Sequence, residues 1–110
     1  MRDAPGPIEA VRLEQPDHDT LALTGALTFA TAARVFAEAT RSLANGAQTR
    51  LDLGGVTRAD SAGLACVLGL AAFASRAGRR LHVVHWPEGL RALAAVCDVA
   101  GLLEPPAATV

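Results

Sequence analysis

A β-prone run ends in Asp52, a glycine-containing stretch follows, and Asp60-Ser61 then opens the longest apolar run of the chain, residues 62–74. This succession of strand, connection and apolar helix constrains the fold more than anything else in the chain. Strands alternating with helices require crossover connections and therefore a partly parallel sheet. The run is thirteen residues long, and a membrane span needs about twenty. It is therefore not expected to span a membrane, and the protein is expected to be soluble and cytoplasmic. The start of the chain shows no apolar region of the kind a signal peptide carries.

The flanking segments extend the same pattern. Residues 1–7 hold two prolines and a glycine and are read as a loose arm. Residues 8–13 alternate as an edge strand does, residues 15–19 form a turn, and residues 20–27 alternate again. Leu21, Leu23 and Leu27 face inward there, and Gly25 is placed at a bulge. Thr28 or Thr31 caps a first helix that runs to Ala44, with Val35, Phe36, Ala39 and Leu43 on one stripe. Asn45-Gly46 is expected to close it in a left-handed cap. Residues 49–53 form a buried strand, the glycines then form a loop, and the second helix runs from Ser61 to Ala77, closed by Gly78. Residues 81–85 are a strand. Trp86 is a packing staple before Pro87, which is placed as the first residue of a third helix ending near Gly101. Leu102-Leu103 forms a last short strand or a docking tail, and residues 105–110 are a disordered end. The expected architecture is α/β: a mixed sheet of four to five strands with helices packed against it, in a single domain over residues 8–104.

Composition narrows the function. Ten arginines meet eleven carboxylates for a net charge of −1, and the chain has no lysine. The arginines are dispersed, which argues against a nucleic-acid surface. Cys66 and Cys97 fall on predicted helices and are read as reduced core thiols. No phosphate-binding loop or dinucleotide fingerprint is present, so any nucleotide hydrolysis associated with this chain belongs to a partner.

The second helix carries two stripes. At about 100° per residue, Leu64, Val67, Leu68 and Ala71 cluster on one side with Leu70 at the margin. Ala65, Gly69, Ala72 and Arg76 cluster opposite, below Ser61. That second face is apolar but small, and Gly69 costs about 1 kcal/mol of helix propensity relative to alanine. Such a face suits close approach of another chain; an ordinary alanine-rich solvent face is the alternative.

Asp60 and Ser61 are both favoured at a helix N-terminus. They read as a plain cap, or as a docking or phosphorylation site where a phosphate would add about −1.5 to −2 charges. Serine-nucleophile catalysis fits poorly. No G-x-S-x-G elbow surrounds Ser61, His18 is in a turn, and His82 and His85 point to opposite faces of one strand. Neither a catalytic residue, a metal site nor a cofactor is implied.

The stretch 51–65 resembles the signature of STAS domains, and the similarity extends over residues 21–103. In this family a strand ends near an aspartate, here Asp52. A loop follows, and then Asp-Ser/Thr-x-Gly-Leu, here Asp60-Ser61-Ala62-Gly63-Leu64. Sigma-regulating antagonists usually carry an aromatic and an aliphatic residue before that second aspartate, and often another serine after the phosphoacceptor. This chain has Arg58-Ala59 and Ala62, and Leu90, Leu93-Ala94, Val96-Cys97 and Leu102-Leu103 follow later. It is thus more similar to the MlaB branch, the small STAS subunit of phospholipid-trafficking ABC transporters. The resemblance implies a non-catalytic subunit at the inner membrane that binds the transporter's ATPase (MlaF-like). Asp60, Ser61 and Ala62 would dock, and Ala65, Gly69 and Arg76 would extend the contact. The other branch implies an anti-sigma factor antagonist, with Ser61 as phosphoacceptor for an anti-sigma factor kinase.

Overall fold

The computed structural model describes residues 11–97. Its order is β1 (Val11–Asp17), β2 (Thr20–Leu27), α1 (Phe29–Asn45), β3 (Arg50–Ala59), α2 (Ser61–Arg76), β4 (His82–Val84) and α3 (Glu88–Val96). The strands form one mixed sheet in the order β1-β2-β3-β4. β1 is antiparallel to β2, whereas β2, β3 and β4 are parallel. Two successive crossovers of the same hand, each stepping one strand along the sheet, place α1 and α2 on the same face. α1 packs against α2, and α2 against α3.

The alternation of a strand puts Leu21, Leu23, Leu51, Leu53 and Val83 on the helical side, all at most 1% exposed. α1 meets them with Thr31, Val35, Ala39 and Leu43, spaced by four. α3 contributes Leu90 and Ala94.

α2 buries a wider arc than one stripe: Gly63, Leu64, Cys66, Val67, Leu70 and Ala74. Leu70, expected at the margin, is fully buried, while Leu68 and Ala71 are only partly so. The reason is lateral cover. A helix flanked by α1 and α3 as well as the sheet is buried on more than the side facing the strands. At its far end Gly78 adopts φ +82°. Gly78 N–H donates to Ser75 O at 2.9 Å and Arg79 N–H to Ala74 O at 2.9 Å. This satisfies the last carbonyls as a left-handed cap does.

Several boundaries differ from expectation. β1 extends through Gln15, Pro16 and Asp17, with the turn confined to His18-Asp19, where Asp19 N–H donates to Asp17 Oδ1 at 2.9 Å. Val11 and Leu13 alternate inward against the core, but from Glu14 to Asp17 the edge strand is exposed throughout and needs no alternation, and Pro16 sits where the register shifts between Glu14 and Asp17. Residues 8–10 lie outside the described residues.

The larger correction is β3. Gly54-Gly55 is strand, and β3 continues to Ala59. Gly55 sits so close to β2 that a Cβ there would stand 2.4 Å from Thr24 Cγ2. The glycine permits close strand approach instead of a turn. Gly25 has φ +98° at a register shift of β2, the bulge its sequence position predicts.

The close of α1 is not left-handed: Gly46 is extended at φ −128°, and the Gln48 side chain fills the space beside it. Pro87 is the N-cap of α3 instead of its first helical residue. Phe36 leaves the buried stripe of α1 and is 37% exposed. Cys66 is buried, and burial pushes its thiol up to about 11. Cys97, expected in the core, is exposed at the end of α3. Trp86 packs on the core rim beneath the Arg91 guanidinium, 5.8 Å from the ring centre. The residue 1–7 arm, the continuation toward Gly101, the Leu102-Leu103 segment and the 105–110 end lie outside the described residues.

Candidate functional site

The pairing Leu27↔Ala59 brings the C-terminal ends of β2 and β3 side by side. Each strand passes directly into a helix, so the starts of α1 and α2 are neighbours. The ligand-binding edge of parallel α/β sheets lies at this end.

α1 begins at the Thr28 cap. Thr31 Oγ1 accepts a hydrogen bond from Thr28 N–H at 3.0 Å and donates to Ala26 O at 2.8 Å. The buried hydroxyl therefore stitches the helix start to the end of β2. α2 begins at the Asp60 cap, whose Oδ1 accepts from Gly63 N–H at 3.1 Å.

The second carboxylate oxygen does something a simple cap does not. Asp60 Oδ2 accepts from Phe29 N–H at 3.1 Å, thirty-one residues away in sequence. One carboxylate therefore serves the first turns of two helices. The Phe29 N–H bond is the largest influence on the Asp60 carboxyl; desolvation opposes it, and the N–H groups of Gly63 and Ala62 add to it, so the carboxyl is held below its ordinary 3.8.

The glycine of the motif has its own physical reason. A Cβ at Gly63 would stand 2.3 Å from Leu27 O, so only glycine lets α2 start this close to the end of β2. Leu64 follows it into the core at 4% exposure. Asp60 caps, Gly63 permits the approach and Leu64 anchors, which leaves Ser61 on the outside.

Ser61 is exposed as the first residue of α2, and Ala62 is half-buried. Ala65, Ala72 and Arg76 are exposed further along the helix, with Arg76 in the last turn, where its charge suits the helix dipole. Gly69 is half-buried: a Cβ there would stand 2.8 Å from Phe36 Cε1. Its missing side chain makes room for α1, so the gap that sequence reading assigned to another chain is filled from within. Ser61 and Asp60 thus lie together at one end, and the small-residue stripe below them is interrupted by Phe36.

Sequence reading missed two features. Phe29, the first residue of α1, is 85% exposed beside Asp60. Its signal was available: it follows the Thr28 cap but falls outside the stripe Thr31, Val35, Ala39 and Leu43. The second is a pairing of Asp52 with His85. Asp52 Oδ1 accepts from Gly54 N–H at 2.8 Å and lies 3.0 Å from His85 Nδ1. His85 takes φ +57° beyond the end of β4, which turns it off the regular alternation assumed from sequence. Among the described residues no cluster of three or more histidine, cysteine or acidic side chains is arranged for a metal ion. No helix among them is long and apolar enough to cross a membrane.

Comparison with known proteins bears on the fold and the family. The family model described as "Mlab, STAS domain" matches residues 11–104. Among solved structures, the chain is similar to the unphosphorylated anti-sigma factor antagonist SpoIIAA, with a TM-score of 0.68 and 18% identity over 86% of this chain and 85% of that one. It is similar also to the phosphorylated form of SpoIIAA, the Bacillus cell fate determinant, with a TM-score of 0.65 and 18% identity over 86% and 88%. At that identity the likeness establishes a shared fold. No curated protein matches the sequence.

Proposed function

The chain belongs to the STAS domain family, and from that premise we propose that it is a non-catalytic subunit of an Mla-type phospholipid transporter. It binds the ATPase subunit in the cytoplasm, peripheral to the inner membrane, and supports the transport that maintains outer-membrane lipid asymmetry. The observation that carries this reading is the exposed surface where α1 and α2 begin. Ser61 stands outward there, the Phe29 ring is 85% exposed, and the ionised Asp60, next to Ser61 in the chain, accepts from the Phe29 backbone N–H. An apolar ring so exposed contributes nothing to this chain's own core, and aromatic side chains of this kind dominate protein interfaces. The family's Mlab description and the Arg58-Ala59 and Ala62 flanks support the transporter branch.

The test is co-purification with the ATPase subunit of an Mla-type transporter. The wild-type chain is expected to retain it. Ser61→Arg is expected to lose it while circular dichroism and melting stay those of wild type. Retention by a folded Ser61→Arg variant overturns the reading.

One observation favours a second reading. Ser61 is exposed at a helix N-terminus, where backbone N–H groups and the dipole tolerate phosphate. On that reading the chain is an anti-sigma factor antagonist. Incubation with ATP and an anti-sigma factor kinase then transfers phosphate to the wild-type chain and not to Ser61→Ala.

A further inference from the structure

Phe29 N–H is one of the donors that a helix start leaves without an intrahelical acceptor. Water ordinarily serves such a group on an exposed residue. Here a carboxylate from another element takes it, although Thr28 and Thr31 already organise the start of α1. The bond therefore acts on a residue whose side chain lies outside the core. Its other oxygen holds Gly63 N–H, in the turn that carries Ser61.

We infer that Asp60 is a positioning residue, whose two oxygens clasp the starts of α1 and α2 so that Phe29 and Ser61 face a docking partner as one rigid surface. The inference rests on the docking reading above and adds the means by which the surface is held. Ordering the backbone of an interface aromatic before contact removes part of the entropy lost on binding. The arrangement also explains why an aspartate stands at this cap. Serine is an equally good cap for α2, but it has one side-chain oxygen on a shorter arm and cannot serve both helices.

The clasp is tested without a partner by following amide proton shifts of the full chain through acid titration. Phe29 and Gly63 are expected to move with one common midpoint below 3.8, and neither moves there in Asp60→Ser. Separate midpoints, or a Phe29 amide that ignores the titration, overturn the inference. The functional arm is a double-mutant cycle against the purified ATPase subunit. Asp60→Ser is expected to weaken binding about tenfold in the native background and to add nothing in Phe29→Ala, because it acts through that ring. An equal loss in both backgrounds overturns it. If the wild-type chain does not bind the ATPase at all, the docking reading falls, and the titration alone decides whether the clasp exists.

Discussion

Replacing Gly63 with alanine adds a single methyl where the fold has no room for it. That carbon would stand 2.3 Å from the Leu27 carbonyl oxygen, 3.2 Å from Leu27 Cγ and 3.3 Å from Leu27 C. The nearest obstacle is backbone at the end of a core strand, so no rotamer change relieves it, and the first turn of α2 must move away from β2. Overpacking of this kind costs about 1–3 kcal/mol, and a contact this short with backbone belongs at the upper end. Alanine recovers about 1 kcal/mol of helix propensity. The balance is a loss of about 2 kcal/mol, which for a domain of this size lowers Tm by about 8–16 °C. Two other helical glycines serve as controls. A Cβ at Gly89 meets nothing within 4 Å, so Gly89→Ala should gain up to about 1 kcal/mol. A Cβ at Gly69 meets the Phe36 ring, which is 37% exposed and able to swing aside, so Gly69→Ala should stay near wild type. Thermal and urea unfolding followed by circular dichroism measure all three. If Gly63→Ala melts at or above wild type, the close contact between α2 and β2 is wrong.

Four further outcomes are expected. Burial raises the Cys66 thiol to about 11 while Cys97 is exposed, so a thiol reagent near pH 8 should label one cysteine in the folded chain and both in denaturant. Because the raised value favours the protonated form in the fold, stability should also fall as pH climbs from the ordinary 9 through 11, and less so in Cys66→Ala. The depressed Asp60 carboxyl has the opposite sign: its contribution is present above 3.8 and lost as pH falls through its lower folded value. The Tm gap between wild type and Asp60→Asn should therefore close on acidification, and a gap independent of pH would contradict the charged double cap. Leu70→Ala removes a fully buried side chain and should cost about 2–5 kcal/mol by urea midpoint; a cost under about 1 kcal/mol would restore Leu70 to the margin of the helix.

The element order was legible because hydrophobic period is a local property. The boundaries that were missed share a cause. Gly54-Gly55 carries a turn's composition, yet it lies in a strand because Thr24 of β2 sits against Gly55 and leaves no space for a side chain. Gly69 reads as an opening for another chain until Phe36 of α1 is seen to fill it. Leu70 looks marginal on an isolated helix and becomes central once α1 and α3 close over α2. At the site, Asp60 and Ser61 were legible as a pair, and their cap role followed from residue preference alone. Phe29 was not read as part of the site, although it falls off the apolar stripe of its own helix.

What the sequence determined by itself is the alternation of strands and helices, the STAS signature at Asp60-Ser61-Ala62-Gly63-Leu64, and a core built from leucines at strand and helix periods. These follow from backbone periodicity and from the preference of particular side chains for helix ends, which neighbours in the chain suffice to express. Packing in three dimensions sets the rest: Asp60 caps two helices, Gly63 is there for the Leu27 carbonyl, and Phe29 stands exposed at the helix start that Asp60 holds. Each of these depends on the lateral pairing of β2 with β3, which brings Phe29 and Asp60 within 3.1 Å. No local pattern records a contact between segments thirty-one residues apart, because the distance between them is set by the sheet.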